Sequence, residues 1–216
     1  MAGALRRLLF RAGLADPGYR FLLDRGAPDE AVALDCETTG LDVRRDEIVT
    51  VAAIRIKGGR ILASDAFQAT VRAERRSSTE AIKIHRILQS DVERGRPMAD
   101  VLPELLRFIG GRPIVGYYTA FDVAMIDKYA RRRLRVGLPN ARIDVSELYH
   151  ACKYAGAPDW VTIDLRFDPM LRDLGIPVLA RHDAFNDALM TAMAYVQLRD
   201  MRARGARIPR GPRPGA

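Results

Sequence analysis

The sequence predicts an α/β protein built on a mixed sheet of five strands with helices on its faces. Between residues 31 and 71 three apolar segments follow one another, and a Gly-Gly turn joins the last two, which is typical of an antiparallel hairpin. From residue 79 the apolar residues recur at helical spacing, and two strand-helix units follow. These observations predict three antiparallel strands and then two parallel ones.

The elements follow from these patterns in chain order. Strands are predicted at residues 31–36, 47–56, 60–71 and 114–117, and at the start of the segment ARIDVSELYHACKYAG. A helical stretch from residue 79 ends at Gly110-Gly111. The segment AFDVAMIDKYARRRLR predicts a helix whose basic end complements its dipole. A last helix is expected over residues 184–204, with Asp183 as its N-cap.

We expect an arm, one domain and a tail. Residues 1–29 are predicted to be a basic helical arm, in which Leu5, Leu8, Leu9 and Phe10 lie on one side of an amphipathic helix. This Arg-rich arm also resembles an organellar transit peptide, and that alternative stays open. Residues 30–204 are expected to form the globular domain, and residues 205–216 a basic, flexible tail rich in Pro and Gly.

The charge of the chain favours an anionic partner. Its 216 residues include 35 Lys and Arg against 27 Asp and Glu, for a formal net charge of +8. Nucleic acid is the first expectation and an anionic membrane surface the second. The two cysteines are too few for a disulfide framework, which favours a reducing, cytoplasmic environment. No apolar run is long enough to predict insertion into a membrane.

Four acidic residues at the ends of predicted elements indicate a metal site. Asp35 and Glu37 alternate at the end of a strand, so both side chains point to one face, and two adjacent carboxylates are costly without a cation. Asp122 opens a predicted helix, and Asp187 lies early in the last one. Oxygen ligands of this kind suit Mg²⁺ or Mn²⁺. Taken singly, each acid could instead be a solvated turn residue or a helix cap.

His182 is the candidate general base. It precedes the last predicted helix, so it should lie on a loop, from which an imidazole can reach an attacking water. A surface histidine without function is the open alternative. His150 lies within a predicted helix and is better explained by packing.

Three segments in order carry a family resemblance. LDCETTGLD contains Asp35 and Glu37, YYTAFDVAMID contains Asp122, and HDAFND contains His182 and Asp187. In these motifs the chain resembles the DEDDh 3′–5′ exonucleases of the ribonuclease H-like fold, among them the proofreading epsilon subunits of bacterial DNA polymerase III. The resemblance spans about residues 30–198. It departs at Tyr117-Tyr118, where the family usually carries an Asn.

The resemblance implies a two-metal exonuclease. Asp35, Glu37, Asp122 and Asp187 would hold two divalent ions, Mg²⁺ or Mn²⁺, with Asp35 shared, and His182 would take the proton of the attacking water. The substrate-binding residues that it implies are Thr38, Gly40, Leu41, His85 and Phe121. For Leu41 and Phe121, a role in the core is equally open.

The implied activity is removal of nucleoside 5′-monophosphates from the 3′ end of single-stranded DNA, in repair or proofreading. RNA or short oligonucleotides stay open as substrates, because contacts to a 2′-hydroxyl cannot be identified from sequence. No clear polymerase-binding segment is visible, so association with a polymerase is also open. From a different functional class, the chain could be a non-catalytic nucleic-acid-binding adaptor of the same fold.

Overall fold

A single five-stranded sheet lies at the centre of the computed structural model, which describes residues 2–24 and 26–210. Its strands are β1 Glu30–Thr38, β2 Ile48–Lys57, β3 Arg60–Thr70, β4 Ile114–Gly116 and β5 Arg142–Asp144. Their order is β3-β2-β1-β4-β5. β2 is antiparallel to both β1 and β3, whereas β4 is parallel to β1 and β5 to β4. The predicted arrangement of three antiparallel and two parallel strands is confirmed.

Helices cover both faces of this sheet. They are α1 Ala2–Gly13, a 3₁₀ helix Pro17–Leu23, α2 Thr79–His85, α3 Gln89–Glu93, α4 Met98–Ile109, α5 Ala120–Leu134, α6 Val145–Lys153, α7 Phe167–Asp173 and α8 Ala184–Ala203. α8 begins as predicted, because the Asp183 carboxylate accepts a hydrogen bond of 2.9 Å from the Asn186 N–H. The sequence analysis did not predict α7, which has only seven residues.

Alternation along β1 separates two cores. Val32, Leu34 and Cys36 belong to a core that includes residues of α4 and α5. Ala31 and Ala33 belong to a second core on the other face, formed with α6, α7 and α8. Since side chains two positions apart in a strand share a face, Asp35 and Glu37 continue the row of Ala31 and Ala33 and point toward the α8 side of the sheet.

The N-terminal segment packs on the first core. Phe10 is 1% exposed, and Tyr19 and Leu22 are buried beside it. By contrast, Leu5 and Leu8 of α1 are 58% and 63% exposed. The amphipathic pattern therefore identified the residues of a helix without identifying which of its apolar side chains faces the domain.

The segment after α8 packs on the second core. Ile208 is 5% exposed, and its N–H donates to the Cys152 carbonyl at 3.2 Å. The described part of the expected flexible tail is thus attached to the domain, and residues 211–216 lie outside the described residues. Among the helices that the structure describes, none combines the length and the apolar character needed to cross a membrane.

Candidate active site

Asp35 and Glu37 lie at the C-terminal end of β1, the central strand of the sheet. Burial raises the pKa of Asp35 well above its ordinary value, and the charges of Asp122, Asp187 and Glu37 raise it further. Burial, assisted by the charge of Asp187, raises the pKa of Glu37 to about 7. The pair therefore resists ionisation in the absence of a cation.

Asp122 is brought beside this pair by the turn between β4 and α5. The Asp144 carboxylate, at the end of β5, accepts hydrogen bonds from the N–H groups of Tyr118 at 3.3 Å and Thr119 at 2.9 Å, which fixes that turn. Asp122 follows in the first turn of α5, and its Oδ1 accepts a hydrogen bond of 3.1 Å from the Cys36 N–H on β1. Burial raises its pKa to about 8, although the Cys36 hydrogen bond opposes the rise.

Asp187 and His182 complete the group from the N-terminal end of α8. His182 lies on the preceding loop, as predicted, with a φ of 62°. This left-handed conformation is uncommon for a non-glycine residue, and here the His182 N–H donates to Asp187 Oδ2 at 3.1 Å. The imidazole itself is exposed. Burial raises the pKa of Asp187.

These five residues line one cavity of about 340 Å³: Asp35, Glu37, Asp122, His182 and Asp187. Potential ligand atoms of Glu37, His182 and Asp187 lie within 4.8 Å of one another. Buried carboxylates with raised pKa values are electrostatically incomplete, and a divalent cation supplies the missing charge through the oxygen ligands it prefers. The donor set therefore fits Mg²⁺ or Mn²⁺.

The predicted substrate-binding residues occupy three different environments. Leu41, which is 84% exposed, and Phe121 line the cavity of the acids. Thr38 and Gly40 are not among its described lining residues; instead, the Thr38 hydroxyl donates to the Gly40 carbonyl at 2.7 Å and shapes the turn after β1. His85 lines an adjoining cavity of about 480 Å³.

The two ring nitrogens of His85 have different surroundings. Its Nδ1 accepts a hydrogen bond of 3.0 Å from the Ile87 N–H, whereas its Nε2 is buried without a hydrogen-bond partner. Burial and the charge of His182 lower its pKa. A neutral ring that accepts at Nδ1 carries its proton on Nε2, so His85 has an unused donor. The adjoining cavity also includes His182, which joins it to the site of the acids.

Five residues that line the cavity of the acids have no role among the sequence predictions: Cys36, Tyr117, Tyr118, Phe167 and Arg181. Tyr117 stacks on Phe167 with ring centroids 4.6 Å apart, and its hydroxyl donates to the Leu165 carbonyl. Arg181 Nη1 donates to Asp187 Oδ1 at 2.9 Å, and its charge opposes the rise in pKa at Asp35, Glu37 and Asp187. In the sequence, a role for Arg181 is indicated by its position directly before His182.

Comparison with known proteins shows which family the chain resembles. A family model described as Exonuclease, RNase_T, matches residues 32–195. The chain is 29% identical over 191 residues to the PolC-type DNA polymerase III of Thermotoga maritima, covering 86% of this chain and 13% of that protein. It is 25% identical to the DNA polymerase III epsilon subunit of Aquifex aeolicus, covering 77% of this chain and 79% of the relative. The chain thus spans about an eighth of the length of the PolC-type relatives.

Solved structures show the same fold. E. coli exonuclease I in complex with a dA16 oligonucleotide superposes with a TM-score of 0.70 at 19% identity, covering 82% of this chain and 42% of that one. Exonuclease I from Methylocaldum szegediense gives a TM-score of 0.64 over 81% of this chain and 41% of its own. The sheet order and the flanking helices described above are those of the exonuclease I fold.

Proposed function

Because the chain belongs to the exonuclease family RNase_T and contains an exonuclease domain of the DEDDh type, we propose that it is a metal-dependent 3′–5′ exonuclease acting on single-stranded DNA. The observation that carries the proposal is the convergence of four carboxylates and His182 on one cavity. Three separate segments of the chain supply these groups, and a solvated turn or a helix cap does not account for their meeting. The raised pKa values of Glu37 and Asp122 also indicate that these carboxylates ionise fully only when a cation is bound beside them.

The residues divide into ligands and a base. Asp35, Glu37, Asp122 and Asp187 would hold two divalent ions, Mg²⁺ or Mn²⁺. Such ions supply activation of the attacking water and stabilisation of the departing 3′-oxygen. His182 takes a proton from that water, because its imidazole is exposed on a loop whose backbone is tied to Asp187. The product is a nucleoside 5′-monophosphate.

The walls of the cavity suit an unpaired nucleotide. Leu41, Phe121, Tyr117 and Tyr118 provide apolar and aromatic surface beside the acids, and bases stack on such surface without a strong sequence preference. We assign Leu41 and Phe121 to the terminal nucleotide, and His85, which lines the adjoining cavity, to another part of the substrate. Thr38 and Gly40 act on the substrate through the turn that carries Leu41.

Single-stranded DNA is the favoured substrate because exonuclease I, which shares the fold, has been crystallised with DNA oligonucleotides. RNA of the same length is the alternative that the experiment includes. Relatives named as polymerase subunits make a role beside a polymerase, in proofreading or repair, part of the proposal. We place the activity in the cytoplasm, where the two unbonded cysteines, Cys36 and Cys152, would remain reduced.

The test compares 5′-labelled single-stranded DNA and RNA of one sequence, incubated with Mg²⁺, Mn²⁺ or EDTA. We expect shortening of the DNA from its 3′ end with either metal and none with EDTA. Asp35→Asn should lower the rate by roughly 10³-fold, since a metal ligand accounts for several kcal/mol of transition-state stabilisation. The control is Asp65→Asn, an exposed acid paired with Arg55 on the hairpin, which should leave the rate unchanged.

The outcomes separate the alternatives. Faster shortening of RNA than of DNA would identify an RNA exonuclease. Cleavage that continues unchanged in Asp35→Asn would contradict the assignment of the acids. If the native protein shortens neither substrate but binds both, the domain is a binding module.

A further inference from the structure

Arg181 bridges two acids, only one of which belongs to the proposed metal site. Its Nη1 lies 2.9 Å from Asp187 Oδ1, and its Nε lies 3.1 Å from Asp168 Oδ1. The Asp187 side chain is 9% exposed and that of Asp168 is 45% exposed. The guanidinium group therefore connects a buried carboxylate of the cluster to a second carboxylate near the protein surface.

The aromatic wall of the cavity keeps Arg181 in this position. Its guanidinium carbon lies 4.6 Å from the centre of the Phe167 ring, and Phe167 in turn stacks on Tyr117. Phe167 and Asp168 are consecutive residues in the first turn of α7, so one short helix provides both the stacking surface and the outer acid. A guanidinium group can slide over an aromatic face without losing that contact.

Both oxygens of Asp187 already have partners. Oδ1 accepts from Arg181 and Oδ2 accepts from the His182 N–H. A divalent ion that binds Asp187 at Oδ1 meets the guanidinium group directly, and one that binds at Oδ2 still lies on the same carboxylate as that group, so in either case the two cations repel each other. The same guanidinium relieves repulsion among the carboxylates when no metal is bound. Arg181 therefore competes with a metal ion for Asp187, and it supplies positive charge to the carboxylates when no metal ion is bound.

We propose that Arg181 is an internal counterion that pairs with Asp187 in the metal-free protein and shifts onto Asp168 when a divalent ion binds. The proposal rests on the divalent-ion site of the proposed function. It makes Arg181 and Asp168 positioning residues that set the affinity for metal. A merely structural role for Arg181, in which it holds Asp187 in a productive orientation, predicts the opposite change in that affinity.

The test is calorimetric titration of the 216-residue chain with MnCl₂ alone, without nucleic acid. Arg181→Gln removes the competing charge, so its Kd for Mn²⁺ should fall by roughly fivefold. Asp168→Asn removes the acceptor to which Arg181 moves, so its Kd should rise by about two- to threefold. In the Arg181→Gln background, Asp168→Asn should change the Kd by less than in the native protein, because the two residues act through one contact.

A second measurement is thermal unfolding in EDTA and in saturating Mn²⁺. Arg181→Gln should lower the unfolding temperature in EDTA, where the carboxylates lose their counterion, and the difference from the native protein should shrink in Mn²⁺. An unchanged or raised Kd in Arg181→Gln would overturn the proposal while leaving the metal site intact. If the native protein binds no Mn²⁺ at all, the proposed metal-dependent function fails instead, and this proposal fails with it.

Discussion

At the scale of single residues, the spacing of Asp35 and Glu37 determines their chemistry. Two positions apart on β1, they share the face that holds Ala31 and Ala33 and meet Asp187 from α8. The elements that carry the pair also bury it, and burial is the largest cause of the raised pKa at both residues. The cluster proposed to bind metal is in this way a destabilising feature of the metal-free protein.

This cost predicts an unusual dependence of stability on pH. The pKa of Glu37 rises from 4.5 to about 7, and that of Asp122 from 3.8 to about 8. A carboxyl group whose pKa is raised in the folded state holds its proton longer than in the unfolded chain, so folding is favoured at low pH and loses free energy as pH rises. In EDTA, the unfolding temperature should therefore fall by several degrees between pH 5 and pH 8, at about 2–4 °C per kcal/mol in a chain of this size.

Differential scanning fluorimetry in EDTA across this pH range measures the effect. Glu37→Gln, which cannot ionise, should reduce the slope, and the Asp65→Asn control should not. Saturating Mg²⁺ should reverse the sign of the slope, because the ionised carboxylates then bind the metal. A metal-free protein whose stability rises from pH 5 to pH 8 would contradict the raised pKa values.

Single residues also show what the sequence can and cannot predict. Asp35, Glu37, Asp122, His182 and Asp187 could be proposed as one site because each lies in a short motif of fixed spacing. Arg181 and Asp168 could not be paired in this way. Their contact depends on the path of the chain between α7 and α8, which contains no repeating pattern.

At the scale of elements, the sequence patterns predicted the five strands and the start of α8, but they did not predict that the helical stretch from residue 79 divides into α2, α3 and α4, or that α7 forms. The alternating runs and the Gly-Gly turn define β1, β2 and β3, and Asp183 marks the start of α8. α7 spans fewer than two full helical turns and contains a proline, so its apolar stripe of Phe167, Met170 and Leu171 is too short to predict a helix. In α1 the pattern was present, but only tertiary packing distinguishes buried Phe10 from exposed Leu8.

The contact between the α4–β4 turn and the 3₁₀ helix leads to a prediction about Gly111. A Cβ added at Gly111 would lie 1.9 Å from the Asp24 carbonyl oxygen and 2.9 Å from that of Leu22. Because these are backbone atoms, the clash can be relieved only if the N-terminal segment moves away from the domain. Gly111→Ala should therefore lower the free energy of unfolding by about 1–3 kcal/mol, as measured by urea denaturation.

The matched control is Gly59→Ala in the β2–β3 hairpin turn. A Cβ there meets nothing within 4 Å, so its effect should stay within about 0.5 kcal/mol. Equal stabilities for the two variants would show that the N-terminal segment is not held against the turn.

At the scale of the whole molecule, the two cores include side chains from outside the predicted domain of residues 30–204. The Gly/Pro break before residue 30 and the end of the last predicted helix set the expected domain at residues 30–204. The structure places Phe10, Tyr19 and Leu22 in the core on one face of the sheet and Ile208 in the core on the other. A basic segment that contains Gly and Pro can still contribute one buried apolar side chain, and the average composition of the segment does not reveal it.

The last prediction concerns a chain cut to residues 30–204. Among the residues that the structure describes, it lacks four buried side chains, and each large apolar side chain lost from a core costs about 2–5 kcal/mol, a sum comparable with the whole stability of a typical domain. The cut chain should therefore unfold at a much lower temperature than the 216-residue chain in a circular dichroism melt, or fail to fold. Phe10→Ala/Ile208→Ala in the 216-residue chain keeps every charge and should show an intermediate loss, which separates packing from electrostatics. If the cut chain melts at the temperature of the 216-residue chain, the terminal segments, with Phe10 and Ile208, contribute nothing to the stability of the domain.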